Sequence, residues 1–74
     1  MSSKYPLLPP KKIFSVLQKL DFQKVSQKGS HVKYKNYYTN KSCIVPMHKE
    51  VARGTLESIL EQADIELETF LNLL

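Results

Sequence analysis

The segment Gln27-Lys28-Gly29-Ser30-His31-Val32-Lys33-Tyr34-Lys35 reads as a tight turn feeding a strand. Gly29 can adopt the positive φ that a hairpin turn requires, and Ser30 can hydrogen-bond locally to the turn backbone. From His31 onward the pattern alternates. His31, Lys33 and Lys35 share one face, while Val32 and Tyr34 share the other. A sheet buried on one side takes the valine and tyrosine inward and leaves a histidine among cations in water. Such a surface suits chemistry on an anion.

Outward from this hairpin, Phe22 to Gln27 reads as the preceding strand, although Val25 is its only β-branched residue. Asn36 to Lys41 is a polar loop carrying two tyrosines, and Ser42-Cys43-Ile44-Val45 is a third strand closed by Pro46, which cannot donate to a ladder. Cys43 and Val45 fall on one side of that strand and Ile44 on the other, so Cys43 reads as a small core residue. Before the strands, Pro9-Pro10 can start a helix whose Ile13, Val16, Leu17 and Leu20 form one apolar stripe, with Phe14 beside it. Asp21 then falls where a left-handed residue is needed. Beyond the strands, Met47 to Arg53 is a connecting loop containing His48. Gly54 or Thr55 caps a helix with Leu56, Ile59, Leu60 and Ala63 inward, and Asp64 ends it. Ile65 and Phe70 have the spacing of a hydrophobic staple around a cap at Glu66. That staple introduces a short last helix with Leu67, Phe70, Leu71 and Leu74 as its stripe. The order α-β-β-β-α with a short C-terminal helix makes an α+β domain, its helices on one face of a three-stranded antiparallel sheet. Residues 1–8 are expected to be a flexible leader and residues 9–74 a single domain.

The 74-residue chain sits near the lower limit for a self-sufficient core, so a ligand must bind on its surface or through a partner. Its one cysteine excludes an internal disulfide, and no apolar run is long enough to span a membrane. With no apolar N-terminal segment of the signal-peptide kind, a cytoplasmic location is expected. The net charge of +4 is unevenly spread. Residues 1–49 hold ten lysines against the single acid Asp21, a net of +9, whereas residues 50–74 hold Arg53 against six acids, a net of −5. One surface therefore suits phosphates and the other does not.

His31, His48 and Cys43 lack the paired spacing of a metal site, and the acids cluster at solvent-facing helical positions rather than as a catalytic pair. No phosphate-binding loop, dinucleotide fingerprint or serine elbow is present. His31 among lysines remains. RNA cleavage needs proton transfer from the 2′-OH and to the leaving oxygen, with cations around the phosphate, and histidine titrates near neutrality. By pattern alone His31 is a catalyst, an RNA contact or a merely exposed residue.

Several segments resemble the HicA-type (YcfA-like) mRNA interferase toxins. These are Phe22 through Tyr34 with its Gly29-Ser30-His31 core, Val45-Pro46-Met47-His48-Lys49-Glu50, Gly54-Thr55-Leu56 with Ile59-Leu60-Glu61-Gln62-Ala63, and the Phe70-Leu71-Asn72-Leu73-Leu74 ending. The resemblance implies a double-stranded-RNA-binding-domain-like fold, metal-independent endoribonuclease activity on mRNA linked to translation (hence the ribosome as a possible partner), and a HicB-family antitoxin. It implies that His31 is catalytic, with Gly29 shaping the turn, Ser30 supporting the histidine and no cofactor. On the toxin reading of these residues, Lys28, Lys33 and Lys35 bind phosphates, so that Lys28, Gly29, Ser30, Lys33 and Lys35 form the RNA-binding set, with His48 and Tyr34 as possible supporting groups. Asp21 and Asp64 depart from the pattern, standing where it usually has helix-ending glycines, as does Glu66 in place of a Ser-like cap. Two other readings stay open: a non-catalytic RNA-binding module, and an interaction domain whose basic face meets an acidic protein.

Overall fold

Pro10 stands at the first position of helix α1 (Pro10–Lys19), where its missing N–H costs nothing, and Pro9 is the extended residue before it. The computed structural model describes residues 4–74. Among these, the chain continues through β1 (Phe22–Lys28), β2 (His31–Asn36), β3 (Lys41–Pro46), α2 (Arg53–Ala63) and α3 (Leu67–Asn72). The strands form one antiparallel sheet in the order β1-β2-β3, and the helices cover one of its faces. This is the expected α+β, double-stranded-RNA-binding-domain-like arrangement.

Alternation sorts the sheet as anticipated. Val32 and Tyr34 of β2, with Cys43 and Val45 of β3, are buried beneath Ile13, Val16 and Leu17 of α1 and Leu56, Ile59, Leu60 and Ala63 of α2. Phe14 stacks on Tyr34 with ring centroids 5.0 Å apart, joining α1 to the central strand. Asp21 (φ 69°) and Asp64 (φ 58°) both take the left-handed conformation at the ends of α1 and α2. A role that glycine usually fills therefore falls to two aspartates.

Several boundaries differ from the sequence reading. Helix α2 is preceded by Ala52 as N-cap, so Gly54 and Thr55 lie within its first turn rather than capping it. The second strand extends to Asn36 and the third begins at Lys41, so Asn36 belongs to the sheet. Among the described residues it is the buried polar side chain. Its Nδ2 donates to the Leu20 carbonyl (3.0 Å), and its Oδ1 accepts from the backbone N–H groups of Tyr38 (2.8 Å) and Thr39 (3.1 Å). In α3 the expected stripe is only partly inward. Phe70 is fully buried and Leu67 partly so, but Leu71 and Leu74 face solvent while Leu73 packs on the core. A six-residue helix is rolled by what it docks against, and Phe70 dominates that docking.

Residues 1–3 of the expected leader lie outside the described residues. Leu8 forms an antiparallel bridge with the buried Val51, whose N–H reaches the Leu8 carbonyl at 2.8 Å. Arg53 Nε donates to the Tyr5 carbonyl at 2.9 Å.

Candidate nucleic-acid interface

The uncovered sheet face is built by strand register. Residues directly opposite each other in an antiparallel pair point to the same side. Lys28 faces His31 across the two-residue turn Gly29-Ser30, Ser26 faces Lys33, and Gln23 faces Lys35. On the other edge Pro46 pairs with His31, Ile44 with Lys33 and Ser42 with Lys35. The free face thus carries His31, Lys28, Lys33 and Lys35 together. His31, Lys28 and Lys33 are exposed, and Lys35 is half-buried. His31 to Lys35 spans four residues of strand, about 13 Å.

The turn holding this face is determined by Gly29, whose φ of +61° is free for glycine and strained for any other residue. A positive φ at the first central residue only is the type II′ pattern, whose twist matches that of the strands. Gln27 Nε2 donates to the Gly29 carbonyl (3.1 Å), while Gln27 Oε1 accepts from Lys24 Nζ (3.0 Å). Ser30 is held through its backbone, its carbonyl accepting the Met47 N–H at 2.6 Å. That bond fixes the start of the β3–α2 loop beside the turn. His48, 17 residues from His31 in sequence, follows two residues after Pro46, the residue paired with His31. Both histidines are exposed and stand at the same end of the sheet.

Tyr34 is placed differently. It is 4% exposed on the helix-covered side, away from His31. Burial pushes its phenol up, a hydrogen bond with Gln18 pulls it back, and nearby Cys43 raises it further. Burial pushes the Cys43 thiol up to about 12, which keeps it protonated and unreactive at neutral pH. Among the described residues, no three His, Cys, Asp or Glu side chains converge where they could hold a metal ion, and no helix is long and apolar enough to cross a membrane.

The charge division has a spatial counterpart. Glu57, Glu61, Asp64, Glu66 and Glu68 all lie in α2, α3 or the link between them, on the helical layer. Three features were not legible in the sequence. A β-bulge between Lys24 and Ser26 leaves Val25 unpaired and 37% exposed. The Ile44 N–H, at the outer edge of β3, is satisfied by Gln62 Oε1 of α2 (3.2 Å). Lys35 Nζ lies 5.1 Å from the centre of the Tyr37 ring. The signal for the last was two adjacent tyrosines in an otherwise polar loop.

The chain is thus a small α+β domain of the double-stranded-RNA-binding-domain-like fold, with helices on one sheet face and a lysine-flanked histidine on the other. A family model described as HicA toxin of bacterial toxin-antitoxin matches residues 10–65, from the start of α1 past the end of α2 and including the whole hairpin. The chain belongs to that family. It is thus a toxin of a toxin–antitoxin system, and an antitoxin is its partner. No match was found among curated proteins.

Proposed function

We propose that this toxin is an endoribonuclease that binds mRNA across the free sheet face and cleaves it with His31 as general acid or base. The observation that carries this reading is the register that sets an exposed His31 opposite Lys28 and in line with Lys33 and Lys35. The lysines neutralise the phosphate and stabilise charge as the 2′-oxygen attacks, while the imidazole moves a proton at the 2′-OH or at the leaving oxygen. Lys28, Gly29, Ser30, Lys33 and Lys35 contact the RNA, the glycine and serine through the turn backbone. Cations on side chains take the place of a metal, so activity survives chelation. Recognition of 2′-OH and phosphate by such a face gives modest sequence specificity.

His48 is the group best placed to share the proton transfers, standing at the same end of the sheet. With one clear acid–base residue, the free protein is a slow nuclease unless the ribosome or a second group completes the site. A HicB-family antitoxin inhibits by covering His31 and the basic face, in the cytoplasm where mRNA and ribosomes are found.

A second reading is a non-catalytic RNA-binding module. It draws on the His31 imidazole having no hydrogen-bond partner to orient it among the described residues. The deciding test compares the wild type and His31→Ala on RNA in EDTA, with circular dichroism confirming that both are folded. Cleavage by the wild type alone supports the nuclease. RNA binding without cleavage by either, even with ribosomes added, supports the module.

A further inference from the structure

The β2–β3 turn carries two tyrosines in unusual surroundings. Tyr37 is 61% exposed and Tyr38 is 86% exposed, whereas tyrosine is ordinarily half-buried. Neither ring is needed by the core. The backbone beneath them is nevertheless tightly held. Asn36 Oδ1 accepts from the N–H groups of Tyr38 and Thr39, the Asn40 N–H donates to the Asn36 carbonyl (2.8 Å), and Thr39 Oγ1 accepts the Lys41 N–H (3.3 Å). Asn40 completes the turn with a left-handed φ of 64°. A turn so braced holds the backbone that carries the rings in a set position, and little backbone ordering entropy is left to lose on binding.

Lys35 ties this turn to the basic face. Its Nζ lies 5.1 Å from the Tyr37 ring centre, so the ring is on the same side of the sheet as Lys33 and His31. A largely exposed ring with a cation over one face, next to a line of lysines, is the arrangement used to hold single-stranded nucleic acid: the base stacks on the ring and the phosphate pairs with the cations. Strand β2 runs about 17 Å from His31 to Asn36, with Tyr37 next in the turn, a length that takes several nucleotides.

We propose that Tyr37 and Tyr38 form a base-stacking subsite for unpaired nucleotides of the RNA that lies across His31, so that the substrate is single-stranded where it crosses this turn. This rests on the RNA-binding reading of the face. A duplex has no free base to offer the rings and gains only from the lysines.

The test uses the full chain with a labelled 2′-O-methyl RNA 12-mer, which cannot be cut by 2′-OH attack, as a single strand and as a duplex. Fluorescence anisotropy reads affinity at fixed salt. Tyr37→Ala and Tyr38→Ala each weaken single-strand binding by about 5- to 150-fold and leave duplex binding unchanged. Tyr38→Phe binds like the wild type, because stacking needs the ring and not the hydroxyl. Lys33→Gln and Lys35→Gln weaken both substrates. If the tyrosine variants bind the single strand as the wild type does while the lysine variants do not, the stacking subsite is refuted and RNA binding by the face stands. If the wild type binds neither oligonucleotide, nor the same two sequences with free 2′-hydroxyls, the RNA reading itself falls. Unchanged RNA affinity with lost affinity for purified antitoxin assigns the turn to a protein contact and overturns the proposal.

Discussion

Asn36→Ala is the substitution that most directly tests how the free face is held. The amide makes three hydrogen bonds: one to the Leu20 carbonyl at the end of α1 and two from the Tyr38 and Thr39 N–H groups. Each is worth about 1 kcal/mol net, more when the group left behind is buried. Water can reach the exposed turn and replace part of the loss there, so about 2–3 kcal/mol is expected. A 74-residue chain holds about 4–11 kcal/mol in total, at about 0.05–0.15 kcal/mol per residue. The variant therefore loses a large fraction of its stability. With a urea slope near 1 kcal/mol/M, the midpoint falls by about 2–3 M at unchanged slope. Native-state hydrogen exchange gives the local reading: the Tyr38 and Thr39 amides exchange faster than the change in global stability accounts for. A midpoint shift below about 0.5 M, with those two amides unchanged, would refute the bracing role of Asn36.

The two glycines should respond oppositely to alanine. Neither has an atom within 4 Å of an added Cβ, but Gly29 has φ +61° and Gly54 lies in the first turn of α2. Gly29→Ala should cost about 1–2 kcal/mol in urea unfolding, whereas Gly54→Ala should stabilise by about 0.5–1 kcal/mol. Asp64→Gly removes the Cβ from a left-handed position and should raise stability by about 0.5–1 kcal/mol; no gain would mean that the aspartate side chain offsets its backbone strain. Cys43 carries a pH prediction: folding raises its thiol from 9.0 to about 12, so above pH 9 the unfolded chain loses a proton that the folded one keeps. Stability then falls as pH rises from about 9 toward 12, an effect that Cys43→Ala should remove, and Ellman's reagent at pH 8 should react only as the chain unfolds.

Two short periodicities carried most of the architecture. Alternation in β2 placed Val32 and Tyr34 inside and His31, Lys33 and Lys35 outside, because successive strand residues point to opposite faces whatever lies beyond them. Spacings of three and four did the same for α1 and α2, whose inward residues are those the pattern names, apart from the partly buried Leu20. Helix ends were legible where a residue's own backbone preference suffices, as at Asp21 and Asp64, and illegible at the start of α2. There Val51 is held by Leu8, and the helix begins one residue ahead of its glycine.

Contacts between distant residues were beyond the sequence. That Tyr34 stacks on Phe14 away from His31, and that Pro46 pairs with His31 and brings His48 to the same end, depend on register and on helix placement. The roll of α3 is of the same kind, since a two-turn helix has too little periodicity to choose its own buried face. A chain's local pattern determines which face of each element turns inward, because that follows from the geometry of one segment and the aversion of its apolar side chains to water. Which residues meet across elements depends on how the faces dock, because docking balances all of their shapes at once.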